Sequence, residues 1–331
     1  MINTKKRSVI LSSFLALSIA LTGCSDNNKT EEQSKDNESK SVTEEASAER
    51  TLTDAMGHEV TIPVKPERII ASYLEDNLVA LGITPIAQWA VNDGASKQNY
   101  LQDYLKDIPT IPHDLPFEVV TSFAPDLLIM NSAEAVEGSK YEQYTKIAPT
   151  FVLEVENNSD WRDKLLKVGE IFGKTNEAKK VLEEYEKKAT DSKKIIQDSI
   201  GKESAAAIWL VNDTFFVVSE NVSSGAVLYG DLGLTIPNVV HEISSSATGN
   251  WSSISLEKLA ELDADHIFLI NSDKGNGAEM LKEPLWQNIP AVKNGHIYEY
   301  EAETSWLYSG PIANTQIIDG VVEVLTNYEE K

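Results

Sequence analysis

The chain has 331 residues, of which 41% are hydrophobic and 24% are charged, so most of it is expected to fold into packed domains, about two by length. Lysine and arginine number 29 against 52 acidic residues, and the net charge of −23 argues against a broad nucleic-acid-binding surface. A single cysteine, Cys24, excludes a disulfide scaffold.

Residues 1–23 have the pattern of a signal peptide. Basic residues near the start precede the apolar stretch Val9–Leu21, which is too short for a comfortable membrane span. The stretch leads into the residues Leu-Thr-Gly-Cys, ending at Cys24, which resemble the lipobox of bacterial lipoproteins. The resemblance implies lipidation of Cys24 and a location on the extracellular face of the cell membrane, held by a lipid anchor of two or more acyl chains.

Residues 24–50 are expected to form a flexible tether from Cys24, because they are rich in small polar and charged residues and nearly lack aliphatic side chains. In the next region, residues 51–157, short apolar runs such as Arg68–Ser72 and Asp126–Asn131 alternate with amphipathic helical patterns. This alternation predicts an N-terminal α/β lobe with a mainly parallel sheet.

Residues 158–200 contain no proline and carry an interrupted helical pattern. Gly173 breaks an apolar stripe at helical spacing, and Asn176 is expected to cap a second helix, so we predict a rigid helical connector. Residues 201–331 then repeat the α/β pattern, beginning with the apolar run Ala205–Val211. The predicted fold is therefore α/β, with two lobes joined by a long helix.

The sequence contains none of the common catalytic motifs: no GxSxG elbow, no P-loop, no GxGxxG fingerprint after the first strand and no HExxH helix. Its five histidines are scattered, and none stands at metal-ligand spacing from another. His266 lies inside a strand pattern and is expected in the core. We therefore expect a protein that is not an enzyme and that has no metal site of its own.

Four segments in order together resemble the family of substrate-binding proteins that serve ABC importers of iron siderophores and cobalamin. They are Thr53–Ile70, Glu118–Ile129, Ser255–Phe268 and Pro284–Tyr298. The resemblance implies two α/β lobes joined by one long helix, with a shallow ligand cleft between the lobes. It implies a ferric siderophore as the ligand and an ABC permease in the membrane as the partner. It also implies a monomer that carries no cofactor, because the siderophore itself supplies the six oxygen ligands of the iron.

In such folds the ligand meets loops at the carboxyl ends of strands. The candidates for ligand binding are the aromatic residues and the histidine near these positions, together with the stretch Asn131–Tyr141. The predicted ligand-binding residues are Tyr73, Trp89, His113, Trp209, Phe215, Trp251, Trp306 and Tyr308. Trp251 and Trp306 stand in polar segments and match aromatic positions of hydroxamate-siderophore binders, so they lead the set. For Trp209, core and cleft positions stay open.

Charge favours a neutral, cationic or weakly anionic ferric chelate. After Thr51 the only arginines are Arg68 and Arg162, whereas a tricatecholate complex calls for several cations. The stretch Asn212–Gly225 lacks the tryptophan and arginine that similar hydroxamate binders carry there, although Lys97, Lys140 and Lys274 are alternative cations. Hydroxamate ranks first, a citrate-based chelate second and catecholate third.

Two other interpretations remain open. One is a binder of bare iron or heme in the same fold, with Tyr73, His113 and Tyr308 as the first ligands to consider. The other is a lipid-anchored adhesin, which explains the lipobox and tether but not the paired segments.

The resemblance also implies a docking role for Glu118 and Glu257. Each precedes a helix–Asp–strand unit, one in each lobe, and in the family one glutamate per lobe pairs with arginines of the permease. A glutamate in the first turn of a helix is also favoured by the helix dipole, so both explanations can hold together.

Overall fold

A computed structural model of the chain describes residues 49–94, 96–156, 160–273 and 277–326. Within them the alternation of short apolar runs and helices produces two α/β lobes. The predicted signal peptide, nearly all of the predicted tether and Cys24 lie outside the described residues.

The N-terminal lobe opens with an antiparallel hairpin and continues with two small sheets. Its strands are β1 (Arg50–Thr53), β2 (Glu59–Ile62), β3 (Ile69–Ala71), β4 (Gln88–Val91), β5 (Ser96–Lys97), β6 (Thr110–Pro112), β7 (Leu127–Ser132) and β8 (Thr150–Glu154). Its helices are α1 (Glu75–Ala80), α2 (Gln102–Leu105), α3 (Phe117–Ser122) and α4 (Lys140–Tyr144). One sheet is parallel with the order β3-β7-β8, and in the other β4 pairs with β6 in parallel and with β5 antiparallel.

Two helices connect the lobes: α5 (Trp161–Ile171) and the 26-residue α6 (Thr175–Ile200). Gly173 between them has a φ of +64°, a left-handed conformation that glycine adopts without strain, so the break expected there is confirmed. The expected cap at Asn176 is wrong, because α6 already begins at Thr175.

The C-terminal lobe contains a five-stranded sheet with the order β11-β10-β9-β12-β13. Its strands are β9 (Ala205–Val211), β10 (Thr214–Val218), β11 (Trp251–Ile254), β12 (His266–Asn271) and β13 (Ile297–Glu301). Strands β9, β12 and β13 are parallel, and β10 runs antiparallel to both β9 and β11. The helices are α7 (Ser223–Gly225), continued by a π-helical turn over Ala226–Asp231, then α8 (Asn238–Ser244), α9 (Leu256–Leu259), α10 (Pro284–Gln287), α11 (Pro290–Asn294) and α12 (Pro311–Thr326).

The last helix, α12, packs on the connector helix α6 and on α1 of the N-terminal lobe. The carboxylate of Asp76 in α1 accepts hydrogen bonds from the backbone N–H groups of Ile312 and Ala313, both at 2.9 Å. Asp76 therefore caps a helix that lies at the opposite end of the chain. A Cβ atom on Gly310 would lie 2.5 Å from the Asp76 Cγ, so this close approach requires glycine.

The α/β fold expected from the sequence is confirmed, and the strand expected at Ala205–Val211 has those bounds. His266 is fully buried, as expected for a core residue. Among the described residues, none of the helices is both long enough and apolar enough to cross a bilayer.

Candidate ligand-binding site

An aromatic cluster forms in the N-terminal lobe around Tyr73, which follows β3, and Trp89, which lies in β4. Their rings meet edge to face with centroids 5.0 Å apart. Tyr73 has a φ of +64°, unusual for a residue with a large side chain, and its side chain is 40% exposed. The strained turn therefore presents an aromatic ring to solvent, which is the property that a ligand-binding ring needs.

Tyr308 joins this cluster from the segment between β13 and α12. Its ring centroid lies 6.3 Å from that of Tyr73 and 5.1 Å from that of Tyr100, and its hydroxyl donates to the carbonyl of Lys97 at 3.4 Å. The structure thus brings together three predicted residues, Tyr73, Trp89 and Tyr308, at a point where the last part of the chain meets the N-terminal lobe. We call Tyr73, Trp89, Tyr100 and Tyr308 the inter-lobe cluster.

Two carboxyl groups are buried beneath the inter-lobe cluster at the start of α1. The Glu75 Oε1 accepts a hydrogen bond from the Trp89 backbone N–H at 2.7 Å, and Asp76 accepts one from the Tyr100 hydroxyl at 3.0 Å. Burial raises the pKa of Glu75 to about 7 and that of Asp76 to about 6, although backbone N–H groups oppose both shifts. At neutral pH the inter-lobe cluster therefore lies next to two carboxyl groups, Glu75 and Asp76, that are partly protonated.

The same burial acts on the tyrosines. Although Tyr73 is 40% exposed, the protein around it desolvates its hydroxyl enough to raise the pKa of Tyr73, with Tyr308 and Glu75 adding to the effect. Burial also raises the pKa of Tyr308, with Glu75 adding again. Both phenols are therefore held neutral, and they offer hydroxyl groups and ring faces rather than phenolate oxygens.

A second aromatic cluster lies on one face of the C-terminal sheet. Trp209 of β9 is directly opposite Phe216 of β10, with ring centroids 5.4 Å apart, and Trp251 of β11 meets Trp209 edge to face at 6.0 Å. All three side chains are half-buried. The Trp209 indole N–H donates to the Ser272 Oγ at 2.7 Å, whereas the buried Trp251 Nε1 has no hydrogen-bond partner among the described residues. We call Trp209, Phe216 and Trp251 the sheet-face cluster.

The expectation for Phe215 is wrong. Successive residues of a strand point to opposite faces of the sheet, so Phe215 faces away from Trp209 and is 1% exposed. It stacks on the buried Trp286 at 5.0 Å. Phe216 is the residue that belongs to the sheet-face cluster, and the period-2 pattern alone does not say which of two adjacent phenylalanines faces a ligand.

The expectation that Trp306 presents its ring to a ligand is also wrong. Trp306 is 2% exposed and stacks between Phe268 and Tyr300, with both centroid distances 4.9 Å. Its polar neighbours in sequence lie in a short 3₁₀ turn, Ser305–Leu307, that folds the indole back onto the sheet. Trp251, which was expected in a polar loop, lies instead at the start of edge strand β11.

His113 is exposed and follows β6, with its backbone N–H donating to the Ala90 carbonyl at 2.9 Å. It thus lies at the carboxyl end of the sheet that also holds Trp89. No contact between the His113 ring and the inter-lobe cluster is seen in the described part of the chain.

The two arginines discussed above are engaged in the scaffold. Arg68 donates to the carbonyls of Phe123 and Ala124, and Arg162 forms an ion pair with Asp231 at 2.7 Å while stacking on Trp161. Lys274 lies outside the described residues. Guanidinium groups therefore hold the protein together here, in agreement with a ligand of low negative charge.

The stretch Asn131–Tyr141 contributes to a separate groove of about 680 Å³ beside the β1–β2 hairpin. Tyr141 stacks on His58 at 3.9 Å, and Glu134, Glu137 and Glu142 line the same groove. This acidic surface is unsuited to an anionic chelate. Among the described residues, no group of three or more His, Cys, Asp and Glu side chains is arranged to hold a metal ion.

Two members of the inter-lobe region were missed in the sequence. Tyr100 stands in a polar segment without strand or helix periodicity, and Glu75 has the pattern of an ordinary first-turn acid of a helix. The signal available for Glu75 was the adjacent acid pair Glu75-Asp76 beside an aromatic residue, and its burial could not be inferred from that pattern.

Comparison with known proteins agrees with this architecture. A protein-family model described as periplasmic binding protein matches residues 71–304. The iron(3+)-hydroxamate-binding protein YxeB of Bacillus subtilis is 25% identical over 99% of each chain, and the "probable siderophore-binding lipoprotein YfiY" of the same organism is 27% identical over 96% of this chain and 97% of that one.

A solved structure, the FhuD protein from S. pseudintermedius, superimposes with a TM-score of 0.70 at 22% sequence identity, covering 85% of this chain and 99% of that one. The likeness supports the fold of both lobes and of the connector helices. Since the family match runs from β3 in one lobe to the segment before Tyr308 in the other, the chain belongs to the periplasmic binding protein family.

Proposed function

We propose that this protein is an extracellular solute-binding lipoprotein that captures a ferric siderophore and delivers it to the permease of an ABC importer. The observation that carries the proposal is the inter-lobe cluster, where exposed and half-buried rings from both ends of the chain converge. Aromatic faces bury the large apolar surface of a metal chelate without contributing ligands to its iron.

A hydroxamate chelate fits the site best. Its iron-binding groups neutralise the ferric charge, so the complex needs few cations from the protein, and the arginines of the described chain are used elsewhere. YxeB, named for binding an iron(3+)-hydroxamate, is similar over nearly the whole chain. A citrate-based chelate is the second candidate.

Bare ferric iron or heme fits less well. Ferric iron is bound by hard anionic oxygen donors, and the raised pKa values of Tyr73 and Tyr308 oppose their ionisation. The proposal therefore keeps the iron inside its chelate, with the protein recognising the surface of the complex.

Tryptophan fluorescence tests this function. Trp89, Trp209 and Trp251 are all at least partly exposed. We expect saturable quenching by a ferric hydroxamate and none of comparable affinity by ferric ion held in a weak buffer complex or by heme. Saturable binding of heme or ferric ion alone, with no response to ferric hydroxamates, would contradict the proposal.

Docking on the permease is assigned to Glu118 and Glu257. Both are exposed first-turn residues of short helices, α3 and α9, and neither has an ion-pair partner among the described residues. The aspartate after each helix, Asp126 or Asp265, accepts hydrogen bonds from backbone N–H groups just before the adjacent strand. The two units are therefore built alike, which supports equivalent roles for the two glutamates.

Attachment to the membrane is assigned to Cys24. The support is its sequence context, Leu-Thr-Gly-Cys after an apolar stretch, and the lipoprotein named among the relatives. We expect Cys24→Ala to release the protein from cells into the medium, as measured by fractionation. Retention in the membrane fraction would contradict lipidation at this residue.

A further inference from the structure

Glu75 occupies an unusual position for an acid. It is the first residue of α1, two positions after Tyr73, yet only 1% of its surface is exposed. Its Oε1 holds the Trp89 backbone N–H at 2.7 Å, and its Oε2 is buried without a hydrogen-bond partner among the described residues. The carboxyl group thus connects the two strand-end segments that carry the rings of Tyr73 and Trp89.

The surroundings of Glu75 contain little positive charge. In the described part of the chain it has no ion pair with lysine or arginine. The titratable residues whose charges couple to Glu75 are Tyr73, Asp76, Tyr100 and Tyr308. Asp76 adds a second acid beside Glu75.

A buried carboxylate acts strongly on charges near it, because the protein interior screens them less than water does. Glu75 is 1% exposed, its Oε1 accepts the Trp89 backbone N–H at 2.7 Å, and the Trp89 ring meets that of Tyr73 at 5.0 Å, so its charge lies next to the inter-lobe cluster. In keeping with this position, Glu75 adds to the raised pKa of Tyr73, Tyr100 and Tyr308. The negative faces of aromatic rings also favour a cationic ligand over an anionic one.

We propose that Glu75 determines the charge preference of the ligand site, disfavouring anionic ferric chelates relative to neutral and cationic ones. The inference rests on the proposed function, since it names the class of chelate that the inter-lobe cluster accepts. The preference strengthens as pH rises through neutrality, because burial places the pKa of Glu75 at about 7.

The experiment uses one ferric trihydroxamate core with three pendant groups. Ferrioxamine B carries an ammonium group, its N-acetyl derivative is neutral and its N-succinyl derivative is anionic, while the metal-binding part is unchanged. Equilibrium binding of each is measured by tryptophan quenching between about pH 6 and about pH 8.5, a range in which the pendant groups keep their charge.

For the unmodified protein we expect the dissociation constant of the anionic chelate, divided by that of the cationic chelate, to grow about 3- to 10-fold from the lowest to the highest pH. Glu75→Gln keeps the size of the side chain and should remove most of that growth, mainly by improving binding of the anionic chelate. Glu183→Gln, which makes the same charge change on the exposed face of α6, should behave like the unmodified protein.

Equal pH profiles in the unmodified protein and in folded Glu75→Gln would overturn the inference while leaving the proposed function in place. Binding of none of the three chelates by the unmodified protein would overturn both. The folded state of each variant is checked by thermal unfolding monitored by circular dichroism.

Discussion

Trp251 and Trp306 are the same residue type in two different surroundings, and their surroundings predict opposite phenotypes. Trp251 is half-buried on the sheet face, and its indole N–H has no partner in the described part of the chain, whereas Trp306 is packed between two aromatic rings in the core. Polar neighbours in sequence gave the same expectation for both, because sequence does not show which way a short turn folds its side chain.

We expect Trp251→Ala to weaken binding of a ferric hydroxamate by about 1–3 kcal/mol with a nearly unchanged melting temperature. Trp306→Ala should instead lower the free energy of unfolding by about 3–5 kcal/mol, because it leaves a large cavity. Denaturant unfolding and fluorescence titration measure the two quantities. Unchanged affinity in Trp251→Ala would remove the sheet-face cluster from the ligand site.

Glu75 also makes stability depend on pH. Its folded-state pKa of about 7 lies above the ordinary value of 4.5, so the folded protein holds this proton more tightly than the unfolded chain. Stability from the neutral form is fully present below about pH 4.5 and is lost as pH rises through about 7.

We therefore expect Glu75→Gln to be more stable than the unmodified protein at about pH 8, by about 2–3 kcal/mol, and to show little difference at about pH 4.5. Urea unfolding at both pH values measures this, with Glu183→Gln as the control for loss of a surface charge. A stability difference that is independent of pH would contradict the raised pKa.

At the scale of elements, the cap on α12 is the feature with the clearest mechanical role. Asp76 satisfies two backbone N–H groups that the helix itself leaves unpaired, and it does so from another lobe. Asp160 is a cap of the ordinary kind, accepting the N–H of Arg162 two residues along on the exposed start of α5.

Asp76→Ala should cost about 1–2 kcal/mol and increase amide hydrogen exchange at the start of α12. Asp160→Ala is the matched control: a comparable local loss is expected at α5, with protection of α12 unchanged. Equal exchange at Ile312 and Ala313 in the two variants would show that Asp76 is not the cap that holds the helix.

In the C-terminal sheet, the central strand β9 was predicted from the sequence, whereas the edge strand β11 was not. A parallel strand buried on both faces is a continuous apolar run, so β9 was predicted with its observed bounds. Strand β11 has the sequence Trp-Ser-Ser-Ile at the edge of the sheet, where polar residues are tolerated, so this polar segment gives no strand signal.

The candidate site was also predicted only in part. Tyr73, Trp89 and Tyr308 were predicted because they stand in or near the ends of strands, and the structure brings their rings together. The choice of Phe215 over Phe216 failed on strand orientation, and Glu75 was missed because its burial depends on residues more than ten positions away, such as Trp89.

At the scale of the whole molecule, the proposed docking role gives each lobe one negative docking point, Glu118 in one and Glu257 in the other, and both residues are exposed. Removing a charge from a docking rim weakens association and leaves ligand affinity largely intact. Permease docking and ligand binding can therefore be separated by experiment.

Cells carrying Glu118→Ala plus Glu257→Ala should take up siderophore-bound iron more slowly, while the purified double variant binds the ferric hydroxamate normally. Glu183→Ala plus Glu283→Ala, which removes two exposed acids elsewhere, is the control. Normal uptake by the first double variant, or lost uptake explained by lost ligand binding, would contradict the docking assignment.

The contact between Asp76 and α12 has a consequence for the order in which the chain can fold. Asp76 and Ile312 are separated by 236 residues, so Asp76 gains its two backbone donors only when the last helix is in place, whereas its donor Tyr100 is close in sequence. A chain that stops before Pro311 would lack both those donors and the helix that packs on α1. The N-terminal lobe therefore reaches its final stability only after the C-terminal end of the chain has been made.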